Sequence, residues 1–114
     1  MEPLLPTLSW EDFAKLDIRS GTITHAEEFK EARQPAYKLT IDFGALGIKR
    51  SSAQITALYS LEDLLGMQII AVVNFPPKQI ANFFSECLVL GVVDRKQVTL
   101  LSPNQPVENG LRIG

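Results

Sequence analysis

The stretch Gly66–Pro77, GMQIIAVVNFPP, constrains this chain more than any other. Ile69 to Val73 is an unbroken apolar run that stops at Asn74-Phe75-Pro76-Pro77. A strand apolar on both faces has to be covered on both faces. A double proline cannot continue a ladder, because neither ring nitrogen carries an N–H to donate. The expectation is a core strand that delivers Asn74 and Phe75 to the rim of a sheet, where a rigid turn holds them within reach of a ligand.

The 114 residues suffice for one domain, 1–114, with a single modest core. No apolar run approaches the roughly 18 residues needed to span a membrane, so no membrane insertion is expected. The segment MEPLLPTLSW lacks the basic start of a signal peptide, and two prolines interrupt its apolar part. The default compartment is the cytoplasm. Cys87, the one cysteine, sits in an apolar run and reads as a small buried hydrophobe. His25 is also alone, without partners at metal-ligand spacing, so no metal or other cofactor is expected.

A net charge of −2 argues against generic nucleic-acid binding, but the charge is unevenly spread. Residues 1–28 carry two basic and six acidic side chains. Residues 29–58 carry five basic ones (Lys30, Arg33, Lys38, Lys49, Arg50) against Glu31 and Asp42. Such a local belt is either an anion-binding surface or a solvated polar face.

Along the chain, Thr7–Leu16 is expected to form a short helix with Ser9 as N-cap and Asp12 as its acidic partner. Trp10, Phe13 and Ala14 make one apolar stripe that must dock on something. Asp17–Phe29 is a long strand in which Ile18 and Ile23 differ in parity; a bulge at Gly21 would bring both inside. Ala36–Phe43 alternates cleanly, with Leu39, Ile41 and Phe43 inward and Lys38, Thr40 and Asp42 outward. After the turn Gly44–Gly47 comes a third strand, Ile48–Ser52. Gln54–Leu65 has helical spacing, with a second start at Ser60 capped toward Asp63 and a stop at Gly66. Lys78–Ser85 is assigned as a loop, Cys87–Val93 as one strand apolar on both faces, and Gln97–Leu101 as the strand that follows. Asn109-Gly110 marks a turn in the tail.

Five main strands with a helix after the third is the order of an OB-fold, a five-stranded Greek-key barrel within the all-β class. A small barrel has one interior, so the second apolar faces of Ile69–Val73 and Leu88–Val93 need a cover. The helical extension 1–16 and the C-terminal extension 102–114 supply part of it. The rest is expected from a second subunit in a homodimer, with 102–114 making dimer contacts. No G-x-S-x-G, G-x-x-x-x-G-K-[ST] or G-x-G-x-x-G occurs, and no enzyme activity is expected.

Lys15-Leu16-Asp17-Ile18-Arg19-Ser20-Gly21-Thr22-Ile23 resembles the K-x-D-[IL]-R-V-G-x-I opening of the tRNA-binding OB domain, which also ends bacterial methionyl-tRNA synthetases. Pro35–Leu39, Ile41–Gly44, Ile48–Ile55, Ala71–Pro77 and Val107–Gly110 are similar to its free-standing, dimeric CsaA subfamily, described as an export-related chaperone. The resemblance runs from about Trp10 to Ile113. It implies a non-catalytic homodimer that binds tRNA and acts as a chaperone in protein export. Its implied partners are tRNA, unfolded or precursor polypeptides, and the export machinery. Two positions depart from the family pattern. Ser20 stands where valine is usual, and Ser85-Glu86-Cys87-Leu88 replaces an S-x-G-M motif. If that Gly-Met pair shapes an RNA site, its loss weakens tRNA binding and favours the chaperone-like branch.

OB-folds bind single-stranded or bulged RNA with a basic track and stacking aromatics. Arg33, Lys38, Lys49 and Arg50 are the candidates for the track, and Phe75 or Tyr37 for stacking. Ser51, Ser52, Asn74 and Ser85 offer neutral hydrogen-bond donors. Lys49 and Arg50 are neighbours on a strand, so only one faces the ligand. Ser51 and Ser52 are alternatively helix caps, and Phe75 is either a core plug or part of the site. The alternative function is a peptide-binding chaperone with little or no tRNA binding, using an apolar pocket near Phe75, Phe83 and Phe84.

Overall fold

The computed structural model describes residues 2–114. The clean alternation of residues 36–43 becomes β2 (Tyr37–Asp42), which buries Tyr37, Leu39 and Ile41 and turns Lys38, Thr40 and Asp42 outward. It lies antiparallel between β1 (Ile18–Glu28) and β3 (Ile48–Ala53). On the far side of β1 come β4 (Gln68–Val72) and then β7 (Leu88–Val89), giving the order β3-β2-β1-β4-β7. The sheet curls until residues 85–87 meet β3. There Glu86 N donates to Arg50 O at 2.8 Å, and Ser52 N donates to Ser85 Oγ at 3.0 Å. The result is a nearly closed five-stranded antiparallel barrel, the expected OB-fold.

Ile23, Leu39, Ile41, Phe43, Leu64 and Ile69 fill the interior. The second apolar face of β4 forms a separate cluster of Ile70 and Val72 with Ile18, covered by Leu16, Leu90 and Ile113. The C-terminal extension therefore covers part of its own chain. Its backbone runs beside the first half of β1: Ser20 N donates to Leu111 O at 3.0 Å and Ile113 N to Ile18 O at 2.8 Å.

Five local expectations need correction. The irregularity of β1 is not at Gly21; the register slips between Ile23 and His25. Ile18 and Ile23 serve opposite faces of the sheet and never needed to share one. Gly21 is instead a site of close approach, since a Cβ there would lie 2.7 Å from both Ile41 Cγ2 and Phe43 Cε1. Residues 54–60 form a loop with a turn at 56–58, because Tyr37 Oη donates to Tyr59 O at 2.8 Å and Leu100 N donates to Tyr59 Oη at 2.9 Å, which fixes that segment by tertiary bonds. Only α2 (Leu61–Leu64) is helical, and it begins on the expected Ser60–Asp63 capping box.

The supposed loop 78–85 is a hairpin, β5 (Lys78–Ile80) and β6 (Phe83–Ser85), turning through Ala81 at φ 54°. The apolar run 87–93 is two strands. Leu90 N donates to Ile70 O at 2.8 Å, and the chain then leaves β4 as β8 (Gly91–Asp94) to pair with β9 (Gln97–Leu100). Finally, α1 (Trp10–Ala14) forms on the predicted Ser9 cap but buries none of its residues, and Trp10 is 90% exposed. Its apolar stripe has no cover among the described residues. No helix among the described residues is long and apolar enough to cross a membrane.

Candidate nucleic-acid interface

The outer face of β1–β2–β3 is the surface on which OB-folds hold oligonucleotides. Register places Glu27 opposite Lys38 opposite Ser52, and His25 opposite Thr40 opposite Arg50. All six side chains project outward, since the intervening Ala26, Leu39 and Ser51 point into the barrel. The slip after Ile23 is what produces this arrangement. An unbroken strand would have carried His25 and Glu27 inward on the parity of Ile23.

Two aromatic rings sit beneath the cations. Phe29 and Phe83 meet edge to face with centroids 5.3 Å apart, and both are buried. Lys38 Nζ lies 4.9 Å from the Phe29 centroid and 5.6 Å from that of Phe83, while Arg50 Cζ lies 4.6 Å from Phe83. Such cation–π contacts are worth about 0.5–1 kcal/mol each at the surface and more when desolvated. The Lys38 side chain is only 18% exposed, so its position is set by these rings. Each cation also has a carboxylate. Glu31 Oε1 is 3.8 Å from Lys38 Nζ, and Glu27 Oε1 is 3.4 Å from Arg50 Nη2.

The structure sorts the remaining candidates. Lys49 is paired with inward-facing Ile41, so of the adjacent cations it is Arg50 that shares the face with Lys38. Arg33 is exposed in the loop before β2. Ser51 is fully buried, and its Oγ donates to Cys87 O at 3.0 Å, so it bonds the barrel seam and is neither a ligand donor nor a helix cap. Ser52 and Ser85 join β3 to β6 as above and line a groove. Tyr37 is a core residue rather than a stacking surface.

The amide of Asn74 is engaged on both sides by the chain itself. Asp17 N donates to its Oδ1 at 2.9 Å, and its Nδ2 donates to Lys15 O at 2.7 Å. It clamps the end of β4 to the start of β1. Phe75 is 48% exposed and stands on the lip of the groove, which resolves its ambiguity in favour of the surface.

That groove has a volume near 670 Å³ and runs between β3, the β5–β6 hairpin and β7–β8, lined by Phe75, Ile80, Leu88, Leu90, Val93 and Val98 among others. Ser52 links it to the cationic face, because it lies opposite Lys38 on the neighbouring strand. Burial pushes the Cys87 thiol at its base up to about 11, so the sulfur is a protonated, weakly nucleophilic group at neutral pH.

Comparison with known proteins places this geometry. Residues 18–112 match the family described as "Putative tRNA binding domain". The chain belongs to that family. Among solved structures it is similar to the chaperone CsaA of Bacillus anthracis, at 60% identity with a TM-score of 0.92 over 96% of this chain and 100% of that one. It is also similar to the CsaA chaperone of Picrophilus torridus, at 53% identity and a TM-score of 0.90, over 95% of this chain and 100% of that one. These two likenesses place it in the CsaA branch of the tRNA-binding-domain family. It is 37% identical over 112 residues to methionine–tRNA ligase 1 of Sorangium cellulosum, covering 98% of this chain but 16% of that enzyme. The chain thus spans about a sixth of the length of the curated relatives it matches. The cations of this face are centred on Phe83, whereas the adjoining groove is lined by Phe75 and by neither Phe83 nor Phe84, and sequence reasoning did not assign Phe29, Glu27 or Glu31 to the site. The available signal was the acidic residue two positions before Phe29, which only a correctly placed bulge puts beside Lys38.

Proposed function

We propose that this chain is a non-catalytic binding protein that holds structured RNA, tRNA in particular, on the β1–β2–β3 face and an extended apolar polypeptide segment in the adjoining groove. The observation that carries the reading is the pair Lys38 and Arg50, fixed over Phe83 on the OB binding face beside an apolar groove. Phosphates would contact the two cations, with Arg33 on the neighbouring loop, and an unstacked base would meet Phe75 at the groove lip. Asn74 and Ser51 are left out of this surface because their polar atoms already bond the chain. The CsaA relatives are described as chaperones, and the groove supports the same role here.

The working unit is a homodimer. The uncovered stripe of α1, together with exposed Leu4, Leu5, Leu8, Val92 and Val93, supports this, since such patches ordinarily mark association. In the cell the dimer would serve precursor polypeptides bound for export from the cytoplasm.

The test is a titration of tRNA at two salt concentrations, with and without a chemically unfolded polypeptide, on material whose mass is first checked by sedimentation. Each chain is 12.6 kDa and the expected particle has twice that mass. Converting Lys38 and Arg50 to alanine together should weaken tRNA binding at least tenfold and lower the salt slope by up to about 1.5–2, the value for two fully engaged phosphate contacts. Polypeptide should compete with tRNA. Unchanged affinity in the double variant would show that the cationic face is only a solvated surface.

A further inference from the structure

Lys38 and Arg50 are not free cations waiting for phosphate. Glu27 and Glu31 already stand against them. The Glu27 carboxylate is held between two bases, with Oε1 3.4 Å from Arg50 Nη2 and Oε2 3.6 Å from His25 Nε2. Glu31 comes from the loop after β1 and reaches Lys38 Nζ at 3.8 Å. The Glu27, Glu31 and Arg50 side chains are each about half exposed, so these contacts are open to a competing anion.

We infer that Glu27 and Glu31 are specificity-determining residues of this face, acting as built-in competitors that hold Arg50 and Lys38 against RNA phosphate. The inference rests on the RNA-binding reading above and adds what sets its strength. A phosphate that approaches either cation must displace a carboxylate or share its donor with one. It also approaches two negative charges within a few ångströms, inside the Debye length of about 8 Å at physiological salt, where screening is incomplete. Finally, a cation that keeps its carboxylate neutralises less phosphate charge, so fewer of the counter-cations condensed on the RNA are released and the salt-dependent gain that drives association is smaller.

The cation–π contacts make this a switchable arrangement. Phe29 and Phe83 hold Lys38, and Phe83 holds Arg50, independently of the carboxylates. Neutralising the acids therefore leaves the cations in place and open. The face is tuned toward weak, readily exchanged RNA contacts, which suits a surface whose neighbouring groove takes a second kind of ligand.

The experiment compares wild-type protein with the double variant Glu27→Gln/Glu31→Gln, and with Glu11→Gln/Glu62→Gln as a control of equal charge change at exposed helical positions away from the face. Affinity for tRNA is measured across a salt series. The result expected is at least tenfold tighter binding by Glu27→Gln/Glu31→Gln, with a salt slope steeper by about 1–2, and no more than a twofold change in the control. Glutamine keeps the shape of the side chain, and an unchanged melting temperature establishes that folding is intact. If wild type binds tRNA but the variant binds no better, or if the control tightens equally, the inference fails and the RNA-binding reading stands. If the variant binds and wild type does not, the inference holds and the reading of the wild-type protein as an RNA binder falls. If neither binds at low salt, both fall.

Discussion

Removing the amide of Asn74 should cost stability and leave RNA affinity alone. Asn74 follows the apolar strand β4 and bonds to the start of β1 through both ends of its amide, across 57 and 59 residues of sequence. The neighbouring Val73 N donates to Asp17 O at 2.8 Å and continues the same seam. A net hydrogen bond is worth about 0.5–1.5 kcal/mol, so two come to about 1–3 kcal/mol. Both bonds are exposed, and water can replace the amide on Asp17 N–H and Lys15 C=O, which places Asn74→Ala in the lower half of that range. An unfolding entropy of about 2.1 cal/mol/K per residue turns about 1–2 kcal/mol into a fall in Tm of roughly 4–8 °C for a chain of this length.

Asn74→Asp keeps the acceptor for Asp17 N–H and loses the donor to Lys15 C=O, so it should lie between wild type and alanine. Thermal unfolding followed by circular dichroism reads the first effect, and tRNA titration well below the transition reads the second. A variant that melts within 1 °C of wild type yet loses tRNA or polypeptide binding would refute the clamp and return Asn74 to the ligand surface.

Gly21→Ala sets two known effects against each other. Restricting the unfolded chain favours alanine by about 0.4–1 kcal/mol, while overpacking costs about 1–3 kcal/mol. With the new Cβ 2.7 Å from two fully buried side chains, overpacking should win, and urea unfolding should show a lower midpoint at unchanged slope; a stabilised variant would contradict the packing. Cys87 should give the protein an alkaline limit. Its thiol is raised from 9.0 to about 11 in the folded protein, chiefly by burial. The unfolded chain therefore loses the proton first, and stability present below pH 9 falls as pH rises toward 11. The full loss is about 3 kcal/mol at 1.36 kcal/mol per pH unit. Cys87→Ala should lack this limb in urea unfolding between pH 8.5 and 11, and an identical profile would refute the assignment.

Much of the barrel was legible residue by residue. The alternation of Leu39 and Ile41 with Lys38 and Thr40 determined a half-buried strand, because the period of a pleated strand is two whatever surrounds it. Ser9–Asp12 and Ser60–Asp63 determined two helix starts, because capping is a contact over three residues. Ile69–Val73 demanded cover on both faces and received it. The family motifs carried the fold assignment across nearly the whole chain.

What only the tertiary structure decided is where the chemistry lies. Whether Gln54–Tyr59 coils or turns was settled by bonds from Tyr37 and Leu100, which are distant in sequence. The single slip after Ile23 reversed the faces of His25 and Glu27, and a bulge has no fixed sequence mark when no glycine occupies it. That one-residue change set Glu27 against Arg50 and turned a basic stretch of sequence into a face of paired charges. Asn74 shows the same division. Its sequence placed it at the rim of a sheet, and only the fold revealed that the rim had already been bonded to the start of β1. Local periodicity is a property of the backbone and survives in the sequence; the partners of a polar side chain depend on distances between strands, which the sequence does not hold.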